Sequence, residues 1–253
     1  MKIQYCSDLH LEFPENLSEM NRNPLIPSSP ILILAGDIVP FTLAKNRDPF
    51  FDFISGEYET AYWLPGNHEY YGSDLEEKTG TLNIEIRKNV FLVNNISILT
   101  SGVRLIFSTL WSRIGVVNEL AIQRGMSDFR LIRNKGHLLT PSHYNFLHQD
   151  CKTFLESELT GDESGKTIVV THHVPTIFNY PERFRNDPIN EGFATELSEL
   201  IADSNAAFWI YGHHHQPVPP FQIGNTRLLN NQLGYVHHGE NYAFRRDAVL
   251  EID

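Results

Sequence analysis

The sequence predicts an α/β fold, and three observations carry that expectation. Apolar or β-rich runs of four to six residues recur along the chain, most of them continuous, as befits strands covered on both faces. Segments with helical spacing lie between them. Each of the most buried runs is followed by Gly, Asp, Asn or His, and in open α/β sheets ligands bind outside the carboxyl ends of the strands.

In chain order, KIQYC (2–6), ILILA (31–35), AYWL (61–64), TIVV (167–170) and AFWIY (207–211) read as strands. Helices are predicted over 42–55, 73–88, 141–159 and 191–203. The last carries Phe193, Leu197, Leu200 and Ile201 at helical spacing. Further runs at 90–93, 96–99, 103–108, 226–229 and 246–251 look like additional strands, enough for a second sheet packed on the first. Two stretches fall outside this rhythm. Residues 111–140 contain Trp111, Arg113, Arg124, Asp128, Phe129, Arg130 and Arg133, and residues 174–192 are rich in Pro, Asn and charge. Within a single domain spanning 1–253 they are expected to be lids or substrate-recognition insertions, with plain surface insertions as the even alternative.

The 253-residue chain is 41% hydrophobic and 20% charged, an ordinary globular composition with enough length for a buried core. No apolar run reaches the roughly 20 residues that span a bilayer. The opening MKIQYCSDLH lacks the apolar core of a signal peptide, so a cytoplasmic protein is expected, with no membrane partner. Cys6 and Cys151 form neither a CxxC pair nor a disulfide framework and are expected to be reduced thiols. The formal net charge of −11 weighs against long nucleic acids, which are held by Lys and Arg on their phosphates. Oligomeric state is not legible.

The polar clusters after the strands carry the chemistry. Asp8-x-His10 offers an oxygen and a nitrogen ligand, and in an extended segment both would point to one side. Gly36-Asp37 follows a run of pure aliphatics, and its carboxylate has two oxygens with which to bridge two cations. Its bland alternative is a turn or helix-capping aspartate. In Gly66-Asn67-His68-Glu69, the asparagine can bind a metal through its amide oxygen and leave His68 free for another task. Gly212-His213-His214-His215 is the strongest single signal, since three histidines on an exposed loop have little structural purpose. Alternation puts His213 and His215 on one side. Asp8, Asp37 and Asn67 with His10, His172 or His173, His213 and His215 are too many ligands for one tetrahedral zinc. They suit two ions sharing Asp37, an arrangement fitted to in-line displacement at phosphorus.

These five blocks, Asp8-x-His10, Gly36-Asp37, Gly66-Asn67-His68-Glu69, Thr171-His172 and Gly212-His213-x-His215, resemble in order the calcineurin-like metallophosphoesterase superfamily. The resemblance implies a four-layer α/β/β/α sandwich of two mixed β-sheets flanked by helices. It implies that Asp8, His10, Asp37 and His215 hold one divalent ion and Asp37, Asn67, His172 and His213 the other, with Mn, Fe or Zn first and Co or Ni admitted. A hydroxide bridging the metals would attack phosphorus. His68 would be catalytic without ligating, contacting the phosphoryl oxygen or protonating the leaving group. The fourth block offers two histidines: His172 directly follows the strand and is favoured as the ligand, which leaves His173 to contact substrate or orient a ligand. Asn230-Asn231-Gln232-Leu233-Gly234-Tyr235 resembles a segment near the site in some bacterial members.

The expected function is therefore hydrolysis of a phosphate mono- or diester of a small soluble substrate. A nuclease of the same superfamily, using Arg113, Arg124, Arg130 and Arg133 as a basic track, and a non-catalytic metal-dependent scaffold are the alternatives. Substrate contacts are expected from Asn67, His68 and His173, from Arg124, Arg130 and Arg133, which can grip a phosphate or carboxylate bidentately, and from Phe129, Phe178 and Tyr180, which can stack on a base or cover an apolar group, with salt bridging or packing as the alternative for each of these arginines and aromatics.

Overall fold

The computed structural model describes residues 1–160, 166–184 and 187–252. Its strands are β1 (Lys2–Cys6), β2 (Ile31–Ala35), β3 (Thr60–Leu64), β4 (Leu82–Arg87), β5 (Val90–Asn94), β6 (Ile96–Thr100), β7 (Val103–Ser108), β8 (Arg133–Asn134), β9 (His137–Leu138), β10 (Thr167–Thr171), β11 (Phe208–Ile210), β12 (Phe221–Ile223), β13 (Thr226–Leu229) and β14 (Val249–Glu251). The α-helices are α1 (Pro14–Arg22), α2 (Asp48–Glu57), α3 (Glu119–Gly125), α4 (Asp128–Leu131), α5 (Pro141–Leu159) and α6 (Ser198–Asp203).

Two six-stranded mixed sheets form, in the orders β14-β1-β2-β3-β5-β4 and β12-β13-β11-β10-β7-β6. Their central strands are parallel, Gln4 facing Leu32, Ile31 facing Thr60, and Ile168 facing both Leu105 and Phe208. Each edge strand is antiparallel to its neighbour. The aliphatic runs of the central strands β1, β2, β3 and β10 are continuous because both faces of these strands are covered. Along β2, Ile31, Ile33 and Ala35 pack between the sheets with Leu105, Phe107, Ile168 and Val170. Leu32 and Leu34 point the other way, onto Met20 of α1 and Phe51 and Ile54 of α2. On the second sheet Ile106, Val169 and Trp209 face outward onto Leu155 and Leu159 of α5 and Ile201 of α6. Alternate residues of one apolar run thus serve two cores, and the four-layer sandwich follows from that alternation.

Helix α5 matches the predicted span. Thr140 caps it, its hydroxyl accepting from the His143 backbone N–H at 3.3 Å, and Pro141 occupies the first turn. Three other helical expectations are corrected. Within 42–55 the α-helix begins only at Asp48, because Pro49 is tolerated in a first turn and not in a helix interior. Residues 73–88 are not a helix: a short 3₁₀ turn at Leu75–Glu77 leads to strand β4, which pairs antiparallel with β5. Gly80, at φ +70°, breaks the segment, and Leu82, Ile84 and Ile86 repeat every second residue, the period of a strand. In 191–203 the helix is confined to Ser198–Asp203, since Ala194 bridges to Val174 and the Glu196 carboxylate accepts from the Ser198 N–H. No helix among the described residues is long and apolar enough to cross a membrane. Cys6 and Cys151 are free and buried.

Candidate metal centre

The polar residues after β1, β2 and β3 on one sheet and after β10 and β11 on the other meet at one end of the sandwich. Asp8, His10, Asp37 and His215 each bring a ligand atom within 4.8 Å of the others, and Asp37, His172 and His213 do the same. Asp37 belongs to both groups. Its Oδ2 lies 3.8 Å from His10 Nε2 and 3.3 Å from His172 Nε2, so one oxygen stands between the two clusters. Its Oδ1 accepts from the His68 backbone N–H at 2.9 Å.

The turns that carry these residues leave extended geometry. Asp8, His10, Asp37, His213 and His215 all have positive φ, between 47° and 80°, a conformation that L-residues adopt at a cost and that concentrates at functional sites. This corrects the expectation of simple alternation: His213 and His215 diverge, one to each cluster, because their loop is not extended. Nor is that loop exposed. His213 and His214 are buried, and His214 Nδ1 accepts from the Gln232 amide at 3.0 Å. The glycines allow the approach. A Cβ at Gly36 would lie 2.2 Å from His172 Nδ1, and one at Gly66 would lie 2.2 Å from Asp37 Oδ1.

Further residues hold the cluster in place. Buried Glu69 accepts from the backbone N–H of Asp37 (2.9 Å), Ile38 (2.7 Å) and Gly66 (2.7 Å) and from the Trp63 indole (2.9 Å), which ties the second and third turns together. Burial, followed by the Asp37 charge, raises the Glu69 pKa to about 7. Glu12 meets His10 Nδ1 at 3.1 Å and His68 Nδ1 at 2.8 Å, and Glu240 meets His215 Nδ1 at 2.9 Å. Asp128 accepts from the Asn67 amide at 2.9 Å and from the Tyr71 hydroxyl at 2.7 Å. The Asn230–Tyr235 segment runs beside the end of β1, with Gln232 accepting from the His215 N–H and the Tyr235 ring 4.5 Å from that of His215.

The donor set fits divalent metal ions. The carboxylates at Glu12 and Glu240 hold protons on the Nδ1 atoms of His10 and His215 and turn both Nε2 atoms inward, 2.9 Å apart, beside Asp8 and Asp37. The Ala35 carbonyl does the same for His172 Nδ1 at 3.0 Å. Asn67, its amide nitrogen engaged by Asp128, keeps a buried Oδ1 with no partner among the described residues, and such a buried polar atom calls for a ligand. His213 presents its Nδ1 to the cluster, 3.1 Å from His172 Nε2. The electrostatics agree. Burial alone would raise the Asp37 pKa, yet His172 and His68 hold it well below the usual carboxylate range. Burial opposes charge on His172 and His215, yet Asp37 lifts the first to about 9, and Asp8 with Glu240 lifts the second to about 10. The centre draws positive charge, and bound cations would take the place of those protons.

Beside the cluster lies a cavity of about 710 Å³, whose lining includes Asp37, Asn67, His68, His213, His214 and His215. Both irregular stretches contribute to it, Gly125–Asp128 and Leu131 from one, Tyr180, Phe184, Asp187, Ile189 and Asn190 from the other; positions 185 and 186 lie outside the described residues. Several sequence-predicted contacts are placed elsewhere. His173 is fully buried behind the cluster, its ring stacked 4.2 Å from His213 and its nitrogens against Thr109 O and Tyr144 Oη. Arg113, Arg124, Arg130 and Arg133 are exposed and absent from the lining; Arg130 bonds the Arg124 carbonyl and Arg133 the Gly136 carbonyl. Phe129 belongs to a small core beneath the first stretch, and Phe178 packs on Phe221. Glu12 and Glu240 were not foreseen, although Glu12 lies two residues from His10; Asp128 and Tyr235 were named only as members of the 111–140 and Asn230–Tyr235 stretches, with no role given to either.

The profile of the family described as calcineurin-like phosphoesterase matches residues 1–217. An uncharacterized protein of Acanthamoeba polyphaga mimivirus is 30% identical over 277 residues, which covers 99% of this chain and 96% of its own. Among solved structures, phosphopantetheinyl hydrolase from Mycobacterium tuberculosis matches the fold with a TM-score of 0.70 at 17% identity, covering 96% of this chain and 93% of that one.

Proposed function

The chain belongs to the calcineurin-like phosphoesterase family, and from that premise we propose that it is a dimetal-dependent hydrolase of a phosphate mono- or diester of a small soluble substrate. The observation that carries this reading is the position of Asp37 Oδ2 between the two ligand clusters. Asp8, His10, Asp37 and His215 would hold one ion, and Asp37, Asn67, His172 and His213 the other. Mn, Fe and Zn suit this mixture of oxygen and imidazole donors, with Co and Ni also admitted. When bound, the pair supplies a water acidic enough to act near neutral pH and offsets charge on the phosphoryl oxygens.

The remaining work falls to the protein's own groups. His68 lines the cavity with its Nδ1 on Glu12 and its Nε2 3.4 Å from the Tyr235 hydroxyl. Burial disfavours its charged form, but Asp37 and the Glu12 hydrogen bond outweigh burial and raise its pKa. A protonated His68 donates to a phosphoryl oxygen or to the departing oxygen. Tyr71, 4.1 Å from its ring, limits the ring's rotation. Asp128 turns the Asn67 amide so that oxygen, not nitrogen, is free. Residues 111–140 and 174–192 act as substrate-recognition walls, a role supported by their share of the cavity lining.

The test is hydrolysis of aryl phosphate mono- and diesters by purified protein supplied with Mn²⁺. Turnover is expected for at least one class. Asp37→Asn should lower it by about a hundredfold or more, as even groups outside the coordination sphere cost tenfold or more when removed. Undiminished turnover in that variant would contradict the reading.

A further inference from the structure

We propose that the cavity beside the metal centre selects phosphoesters whose organic group is long, largely apolar and free of a second negative charge. The proposal rests on the phosphoesterase reading of this site and specifies its substrate class. At about 710 Å³ the cavity is far larger than a phosphoryl group needs; it falls in the range of roughly 300–1,000 Å³ that encloses a whole small organic molecule. Its walls beyond the metal ligands are mainly apolar: Phe13, Met126, Leu131, Phe184, Ile189 and Phe193. Burying methylenes against such walls favours a chain or ring system over a compact polar group.

The charges argue in the same direction. Four carboxylates besides Asp37 line the cavity, at Glu12, Asp128, Asp187 and Glu240, and no Lys or Arg does among the described residues. Glu12 and Glu240 are engaged by histidines, whereas Asp128 is buried with its Oδ2 unpartnered and Asp187 is exposed. Arg183 lies over the Phe184 ring, 4.3 Å from its centroid, and is not part of the lining. Proteins that grip a second phosphate or a carboxylate do so with bidentate Arg or with Lys. Here a second anion would meet carboxylates and hydrocarbon. Hydrogen-bond donors on the organic group are tolerated, since Asp128 Oδ2 has an unused acceptor valence.

The experiment is calorimetric titration of the Mn²⁺-loaded protein with three phosphonates, which bind through the same head group but are not hydrolysed: methylphosphonate, hexylphosphonate and 6-phosphonohexanoate. Hexylphosphonate is expected to bind about tenfold or more tightly than methylphosphonate, each buried methylene adding severalfold. The terminal carboxylate of 6-phosphonohexanoate should abolish most of that gain. Ile189→Asp should remove the advantage of the hexyl chain. Equal affinity for methylphosphonate and hexylphosphonate, or a carboxylate-tipped chain binding as well as the alkyl one, would overturn the substrate class while leaving the metal centre standing. Absence of any methylphosphonate binding would defeat the phosphoesterase reading itself, and this inference with it.

Discussion

His68 and Asp128 separate two jobs that sit side by side in the cavity. His68 shares Glu12 with His10 but points its other nitrogen at Tyr235 rather than at Asp8 or Asp37. His68→Ala is therefore expected to retain its metal and lose rate by about 10²–10⁴-fold on alkyl esters, where the departing alkoxide needs a proton. The loss should be smaller on 4-nitrophenyl esters, and steady-state kinetics on matched substrates checks this. Equal losses on both would assign His68 to phosphate binding alone. Asp128 meets Asn67 through the amide nitrogen, so the role proposed for it is positioning. Asp128→Ala should weaken the tighter retention of one of two ions by about 10–100-fold in chelator competition, with Asp128→Asn recovering most of it because an acceptor oxygen is restored. The Asp and His residues that cluster were legible in the sequence because each lies within a few residues of the end of a buried strand. Asp128 and Glu240 were not, because they reach Asn67 and His215 across 61 and 25 residues through contacts only the folded chain makes.

At the scale of elements, the site is built from turns whose glycines admit neighbouring side chains. At Gly66 an added methyl would sit 2.2 Å from Asp37 Oδ1 and 2.6 Å from His172 Nε2, both on buried residues with no room to retreat. Gly66→Ala is expected to cost about 1–3 kcal/mol of stability and to lower metal content as well. Thr140→Ala, at the cap of α5 and away from the ligands, should cost about 1 kcal/mol with metal content intact. Urea unfolding paired with metal analysis distinguishes the two, and a Gly66→Ala protein with full metal content would contradict the crowding argument. The central strands were readable because both of their faces are covered and their aliphatic runs are therefore continuous, whereas β4, β8, β9 and β12 carry no such run. Residues 73–88 were misread because Leu82, Ile84 and Ile86 fit a strand period only once Gly80 is taken as a break, while Glu76, Glu77 and Lys78 before it favour helix locally. The span 191–203 was overextended because an apolar stripe from Phe193 to Ile201 looks helical although its first half is pinned by the Val174–Ala194 bridge.

Across the whole molecule, two sheets that share one core bring the ends of five strands into register, so residues as distant as Asp8 and His215 meet within hydrogen-bonding range. The acidic sequence, at −11, collects part of its negative charge in this centre, and the proposed divalent ions would offset it there. Ions that bind only the folded chain also stabilise it, by about 4 kcal/mol when present at a thousand times their dissociation constant. The fold class and the proposed ligands could be argued from strand ends and side-chain types. The cavity walls could not, because 111–140 and 174–192 carry no periodicity and their apolar faces are defined only by what they cover. Two-ion catalysis is tested by titrating metal-depleted protein with Mn²⁺ while following aryl phosphate hydrolysis against equivalents added. Activity is expected to rise to a plateau that breaks at two ions per chain. A break at one ion per chain, or hydrolysis indifferent to metal, would contradict two-ion catalysis.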